Sequence, residues 1–460
     1  MILDRRAWLQ ATLAGAAGAA GSGLLSQPTS FGFGAEPGSS TPAQPLKITG
    51  LKITPIALPD PPLLANSGCH GPYFLRTIIE LETDAGIVGV GEATAGEKVL
   101  HAFEAARPII VGQNAFAFRT FAKQLMELSP ACYAGVELAC LDACGHASGR
   151  RACELLGGPV REQVDVCAYL FYRYAADNPT LLADKRRVDS RGSGDKALDQ
   201  WGEVRTPDAM VEMAQKFRDR WGFRCFKLKG GVLDPDIELA TMKALNSHFG
   251  GKFPLRIDPN ARWTLPTAYR IGRSLADVNL EYYEDPVIGQ SQMADVRRDS
   301  GLKLSTNMCV TRFEHLPDAV KLRPVDVVLS DQHTFGGITA CQELGTMCET
   351  FGFGVSQHSN SHAGVTMAAM ITLAAVIPQL TYASDTHYPW LVDGADIIEG
   401  PRMEIRDGRM AVPSGPGLGV RLDRDKVARA HEVFTKCGMS GRDDAATMRL
   451  IEPGWKRDLF

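Results

Sequence analysis

From about residue 47 onward the sequence predicts an α/β protein, a small α+β unit followed by a parallel βα barrel. Eight short apolar runs, each ending in polar or charged residues, recur between residues 164 and 387. Amphipathic stretches such as Pro207–Arg220 and Pro235–Phe249 lie between them, and strands alternating with helices build parallel barrels. The residues Lys229, Asp258, Glu284, Asn307, Asp331, His358 and Asp385 each close one run, 23 to 29 residues apart. In a parallel barrel such ends share one mouth, the face where chemistry is done.

The chain opens with Arg5 and Arg6, then Trp8, Leu9 and Gln10, then a mildly apolar Ala/Gly run to Leu25. That order reads as a twin-arginine export signal, followed by a Ser/Pro/Gly-rich linker to about residue 45. The expectation is an exported, periplasmic protein, with a cytoplasmic one as the alternative. Leu46–Ala57 and Leu75–Thr83 alternate apolar with polar residues like antiparallel strands, and Gly86–Glu92 adds a turn and a strand. Helical stretches follow at 96–127 and 133–149, the second stopping at Gly157-Gly158. The barrel runs are Val164–Tyr172, Cys225–Lys229, Leu255–Asn260, Leu280–Asp285, Leu302–Asn307, Val325–Asp331, Phe353–His358 and Leu380–His387. The Asp-, Arg- and Lys-rich stretch near 175–205 reads as a loop insertion after the first of them.

Composition removes several function classes. With 49 basic and 53 acidic residues the net charge is −4, so no basic excess exists to neutralise phosphates, and nucleic acid is excluded as a partner. Past the N-terminus no apolar run is long enough to span a bilayer. The 11 cysteines form no CxxC pair; they read as small buried hydrophobes. Neither GxGxxG nor GxxxxGK[ST] occurs, so nothing supports nucleotide chemistry, and no nucleophile stands out.

Asp258, Glu284 and Asn307 offer only oxygen donors from three successive strands, the set that hard divalent cations such as Mg2+ take. Lys227 and Lys229 alternate on one strand, so both point into the mouth. One can serve as a base while the other stays a cation. His358, with Asp331 on the neighbouring strand, makes a dyad suited to general acid work. A metal with a base on one side and an acid on the other suits removal of a proton beside a carboxylate, stabilisation of the enediolate and expulsion of a leaving group.

The motifs FKLKGGVL (226–233), DPNARWTL (258–265), EDP (284–286), STNM (305–308), SQHSNSH (356–362), SDTH (384–387), PGLGV (416–420) and GRDD (441–444) resemble the enolase superfamily, and within it the glucarate dehydratase group. The resemblance covers about 47 to 455 and includes two features of that group: Asn307 as third metal ligand, and a KxK motif combined with a strand-seven histidine. It implies a (β/α)7β TIM-like barrel (161–400) and an N-terminal α+β capping domain (46–160) completed by the C-terminal segment (401–460). Residues 1–45 are left as leader and linker. By the same resemblance Lys229 and His358 flank the substrate, Asp331 partners His358, and Lys227 and Asn260 support the carboxylate and enediolate. Substrate contacts fall on His70, Tyr169, Ser359, Asn360, His387 and Arg442.

The implied activity is that of a Mg2+-dependent hydro-lyase converting D-glucarate, and its epimer L-idarate, to a 5-dehydro-4-deoxy acid. The implied partner is a small-molecule sugar diacid, and the expected assembly is a homo-oligomer. Alternatives are a dehydratase or epimerase for another aldarate or aldonate, and an exported sugar-acid-binding protein without catalysis. The export-like leader departs from the group, and the 175–205 insertion and the loop at 66–76 leave substrate identity less fixed than mechanism. One family threonine contact has no counterpart that can be placed.

Overall fold

A computed structural model describes residues 45–188 and 201–460. Residues 1–44 of the expected export leader and linker, and residues 189–200 of the expected insertion, lie outside the described residues. Residues Pro45–Phe460 form one compact unit.

The chain begins with an antiparallel sheet, β1 (Ile48–Pro59), β2 (Tyr73–Thr83) and β3 (Val88–Thr94), with β2 in the centre. The alternation over Leu75–Thr83 falls on an antiparallel strand, and every residue of β2 except Glu82 is buried. Its charged residues are paired: Arg76 Nε donates to the buried Glu92 at 2.7 Å, and Glu80 pairs with the exposed side chains of Lys52 at 3.0 Å and Arg424.

The stretch at 96–127 is not one helix. It divides into α1 (Glu97–Ile110), a 3-10 turn (Ala115–Phe121) and a short helix (Ala122–Leu128). Between them Gly112 takes φ 92°, and residues 112–113 hydrogen-bond to Ile48 at the start of β1, so sheet pairing interrupts the helix. Helix α2 (Pro130–Ser148) stops at Gly149, whose left-handed φ is 65°, and not at Gly157-Gly158. It lies directly on the sheet: a Cβ at Gly91 would stand 2.1 Å from the Gly135 carbonyl oxygen, so only glycine allows this approach.

Eight parallel strands follow: β4 (Gln163–Phe171), β5 (Phe226–Lys229), β6 (Leu255–Asp258), β7 (Leu280–Glu284), β8 (Leu304–Thr306), β9 (Val327–Ser330), β10 (Gly354–Gln357) and β11 (Ser384–Thr386). They pair in the order β10-β9-β8-β7-β6-β5-β4-β11, and a parallel bridge between Val355 and Leu380 closes the ring. Between them run α3 (Pro207–Trp221), α4 (Pro235–His248), α5 (Leu265–Ser274), α6 (Gly289–Ser300), α7 (Leu316–Leu322), α8 (Ile338–Phe351) and α9 (Gly364–Val376). Only a 3-10 turn follows β11, which makes the barrel (β/α)7β. Thr206-Pro207 and Asp234-Pro235 show how the sequence starts these helices: the cap oxygen accepts a free N–H, and proline fills a position where none is needed.

The chain then returns to the N-terminal unit. The strand β12 (Arg409–Ala411) pairs antiparallel with β4, and α10 (Arg424–Cys437) packs toward β1, with Cys437 and Met439 against Ala57 and Leu75. Helix α11 (Asp444–Ile451) reaches the Leu64–Cys69 hairpin, where Ser67 Oγ donates to Asp444 at 2.5 Å. All 11 cysteines are buried and unpaired. No helix among the described residues is long and apolar enough to cross a membrane.

Candidate active site

Strand register assembles the site. On β5, Lys229 stands opposite Phe171 and Asp258, and Lys227 opposite Tyr169 and Arg256. Period-two alternation therefore sends both ammonium groups inward while Leu228 joins the core outside the ring. Lys227 is fully buried. Its Nζ donates to Glu284 Oε1 at 2.7 Å and to Asp385 Oδ2 at 2.8 Å, and lies 3.6 Å from Asp258. Burial alone would lower its pKa, but Asp385, Glu284 and Asp258 together hold it well above the ordinary lysine value. Lys227 is therefore the permanent cation of the pair. Lys229 Nζ donates to Asp258 Oδ2 at 2.5 Å and opens to the cavity.

Asp258 and Glu284 face the same ammonium group, and Asn307 follows on the next strand. Burial and the neighbouring Asp258 push the Glu284 carboxyl well above the usual range. Its Oε2 lies 2.6 Å from Lys227 Nζ without hydrogen-bond geometry, and this atom and Asn307 Oδ1 are buried oxygens that no hydrogen bond satisfies. Buried oxygens without a hydrogen bond are uncommon; Asn307 Oδ1 and Glu284 Oε2, the latter with only the Lys227 charge beside it, are donors of the kind a hard divalent cation takes. The donor set is two carboxylates and an amide; no trio of His, Cys, Asp and Glu is grouped for a metal among the described residues. The backbone beneath is held in costly conformations: Asn260, Ala261 and Asp285 have φ of 49°, 55° and 34°. Asn260 N and Nδ2 donate to Asp258 at 3.0 and 3.1 Å, fixing its carboxylate, and the Asn307 backbone N–H donates to Asp285 at 2.8 Å, fixing the chain there.

The histidine dyad forms as expected. His358 Nδ1 bonds Asp331 Oδ2 at 2.9 Å, and Asp331 Oδ1 accepts the His333 N–H at 2.8 Å. Burial works against the Asp331 charge, yet His358 and His333 hold its pKa down at about 2. The bond to Nδ1 leaves Nε2 as the ring nitrogen free for a substrate. Going around the ring from β5 to β10, two strands intervene on one side and four on the other. Lys229 and His358 thus enter one cavity of about 590 Å³ from well-separated arcs of its wall.

The other expected contacts also line this cavity: His70, Tyr169, Ser359, Asn360, His387, Arg442 and Asn260. Arg442 ties three regions together, donating to Asp444 at 2.7 and 2.9 Å and to Asn360 at 3.4 Å, and contacting His70. Burial, reinforced by His70, His362 and Arg442, pushes His387 well below the ordinary histidine value, so it is a neutral partner for a hydroxyl. The Tyr169 hydroxyl is committed to Asp385 at 2.8 Å, leaving the ring to face the cavity.

Of the seven strand-end residues, Lys229, Asn307 and His358 line the cavity, whereas Asp258, Glu284, Asp331 and Asp385 do not. Asp385 is not at the mouth. It is fully buried one layer down, bridging Lys227 and Arg256, each at 2.8 Å, and His387 two residues on takes the rim. Asn66 and Ser67, in the loop expected to touch the mouth at 66–76, line the cavity, and so do Arg449, Trp455 and Arg457 of the chain end, which no motif signalled. Their contribution depends on long-range docking, which no local motif encodes.

The geometry finds its counterpart among known proteins. Residues 71–157 match the model of the mandelate racemase/muconate lactonizing enzyme N-terminal domain, and residues 209–426 that of the enolase C-terminal domain-like family. An enolase from Thermobispora bispora, crystallised with magnesium and formate, is 40% identical with a TM-score of 0.82, over 90% of this chain and 99% of that one. One from Pseudomonas fluorescens with bound magnesium, potassium and tartrate is 37% identical with a TM-score of 0.83, over 90% and 99%. The chain belongs to the enolase superfamily. Within it, 40% identity over 440 residues to the probable glucarate dehydratase of Streptomyces coelicolor, covering 89% of this chain and 97% of the relative, places it in the glucarate dehydratase group.

Proposed function

We propose that this chain is a Mg2+-dependent acid-sugar dehydratase whose substrate is D-glucarate, converted to 5-dehydro-4-deoxy-D-glucarate and water. The observation that carries the reading is that Lys229, His358 and Asn307 line one cavity, His358 being bonded to Asp331, with the strands that bear Asp258, Glu284 and Asn307 lying between those of the lysine and the histidine around the ring. A magnesium ion held by those three side chains would supply Lewis-acid charge to the substrate carboxylate. Lys229 takes the proton from the carbon beside that carboxylate. Lys227, fixed as a cation, stabilises the enediolate that forms. His358 Nε2 delivers a proton to the hydroxyl on the next carbon, the C–O bond breaks, water leaves, and the resulting enol tautomerises to the keto acid. A dianion is favoured over a monoacid by the arginines of the rim, Arg442, Arg449 and Arg457, the last two exposed and without an acidic partner among the described residues. The bound tartrate of the P. fluorescens neighbour, a small hydroxy diacid, agrees with this preference. The paired Arg5-Arg6 and the apolar run after them support export to the periplasm; retention of the full-length protein in the cytoplasm would refute that part.

The test is a panel of aldarates and aldonates, scored for keto-acid product with Mg2+ and with chelator, on wild type and Lys229→Ala. Product only with metal and wild-type lysine, highest for D-glucarate, is the expected result. Turnover by Lys229→Ala at the wild-type rate would remove the assigned base. Preference for another acid, or epimer without keto acid, would move the substrate or the reaction.

A further inference from the structure

Two buried charges of the N-terminal sheet have no part in the steps above, yet both reach across into the barrel. Arg76 on β2 and Glu92 on β3 are diagonal cross-strand neighbours, since Ile78 pairs with Glu92 and Arg76 with Thr94. Arg76 is 3% exposed and Glu92 not at all. Glu92 accepts from Arg76 Nε at 2.7 Å, and also from Ala363 N at 2.9 Å and Thr366 N at 2.7 Å. Those two N–H groups lie at the start of α9, where the segment leaving His358 enters the helix. Arg76 Nη2 contacts His333 Nε2 and Thr366 Oγ1, both at 3.1 Å. His333 in turn gives its backbone N–H to Asp331, the partner of His358.

We propose that Arg76 and Glu92 are positioning residues for the acid side of the site. The pair clamps both ends of the His358 assembly: through His333 it fixes Asp331, and through Ala363 and Thr366 it fixes the segment carrying His358. The physical case is the contrast with Lys229. The base ends β5 inside the ladder, beside Asp258 and over the Tyr169 ring, whereas His358 lies one residue past the end of β10, where its N–H to Ser330 O at 2.9 Å is the last backbone bond to the sheet before the chain leaves for α9. A charged pair cut off from water makes stiff, directional contacts there. The capping unit would then set the dyad's geometry as well as close the mouth.

The inference rests on the dehydratase reading, and the experiment separates the two. Arg76→Met, Arg76→Lys and the milder His333→Leu are compared with wild type for thermal stability, kcat, KM and exchange of the substrate's α-hydrogen in D2O. A histidine side-chain N–H spectrum follows the proton shared by His358 and Asp331, whatever the substrate. The expected result for Arg76→Met, and more weakly for His333→Leu, is a kcat at least tenfold lower. KM should stay within about threefold, Lys229-dependent exchange should be retained, and the His358 N–H signal should be lost or broadened. Arg76→Lys should recover part of kcat. If Arg76→Met does not fold, His333→Leu alone decides. A folded variant with wild-type kcat and an unchanged His358 signal would overturn the proposal. So would a loss of exchange in proportion to kcat, which marks general damage. If wild type turns over no sugar acid, the dehydratase reading falls and the N–H signal alone judges the clamp.

Discussion

Replacing Asp331 by asparagine probes the dyad with little change of shape. In the native site one carboxylate oxygen accepts the His333 N–H at 2.8 Å and the other faces His358 Nδ1 at 2.9 Å. An asparagine can keep the first bond through its carbonyl oxygen, so the turn at Gln332–Phe335 stays capped. Its NH2 group then faces Nδ1 and favours the tautomer with the proton on Nε2, and the imidazolium loses its counter-charge. A hydrogen bond to a charged group contributes about 1.5–3 kcal/mol, which converts to a kcat loss of about ten- to a hundredfold. KM should change by less than about threefold, because no substrate contact is removed. The assay is initial-rate keto-acid formation together with α-hydrogen exchange in D2O. Exchange driven by Lys229 should persist while dehydration falls. A kcat within threefold of wild type in a folded Asp331→Asn protein would refute the role assigned to the carboxylate. An equal loss of exchange would do the same.

Three further outcomes are expected. His362 is buried and bonds Ser359 Oγ at 3.2 Å and the Ala363 carbonyl at 3.1 Å; burial, aided by Arg76, lowers its pKa to about 4 from an ordinary 6.5. A depressed pKa means that the unfolded chain binds the proton first, so this stability is present above about pH 6.5 and is lost as pH falls toward 4. The size is about 3 kcal/mol at most. Melting curves between pH 7 and 4 should therefore slope less steeply for His362→Gln than for wild type, and equal slopes would reject the assignment. Asn307→Leu should abolish thermal stabilisation by Mg2+, which in wild type should reach about 2.7 kcal/mol at a hundred times the dissociation constant; an undiminished metal-induced rise in Tm would exclude Asn307 as a ligand. Gly91→Ala places a methyl 2.1 Å from the Gly135 carbonyl oxygen, so a loss of about 1–3 kcal/mol is expected from denaturant titration, and an unchanged midpoint would contradict the close helix–sheet contact.

Much of the barrel was legible because its signal is local. A run such as Phe226-Lys-Leu-Lys229 carries both its strand period and the direction of its side chains, and the 23- to 29-residue spacing of the strand ends repeats one βα unit. What misled was context that no window contains. The burial of Arg76 and Glu80 on β2 depends on Glu92, Lys52 and Arg424, partners that lie outside their own strand. The helix expected at 96–127 breaks because residues 112–113 bond to Ile48, some sixty positions earlier. Asp385 had the spacing of a mouth residue, yet strand stagger places it a layer down among Lys227 and Arg256.

The amino-acid order by itself determined the class of fold, the oxygen-donor trio, the two lysines and the histidine with its carboxylate. Those features depend on alternation along a strand and on one repeating unit, which are short-range properties of a chain. Only the tertiary structure decided which lysine is locked as a cation, which side chains of the hairpin and chain end line the cavity, and how Arg76 and Glu92 reach the histidine side. Each of these depends on groups from distant segments sharing a space without water, where burial and neighbouring charge set protonation and bonding.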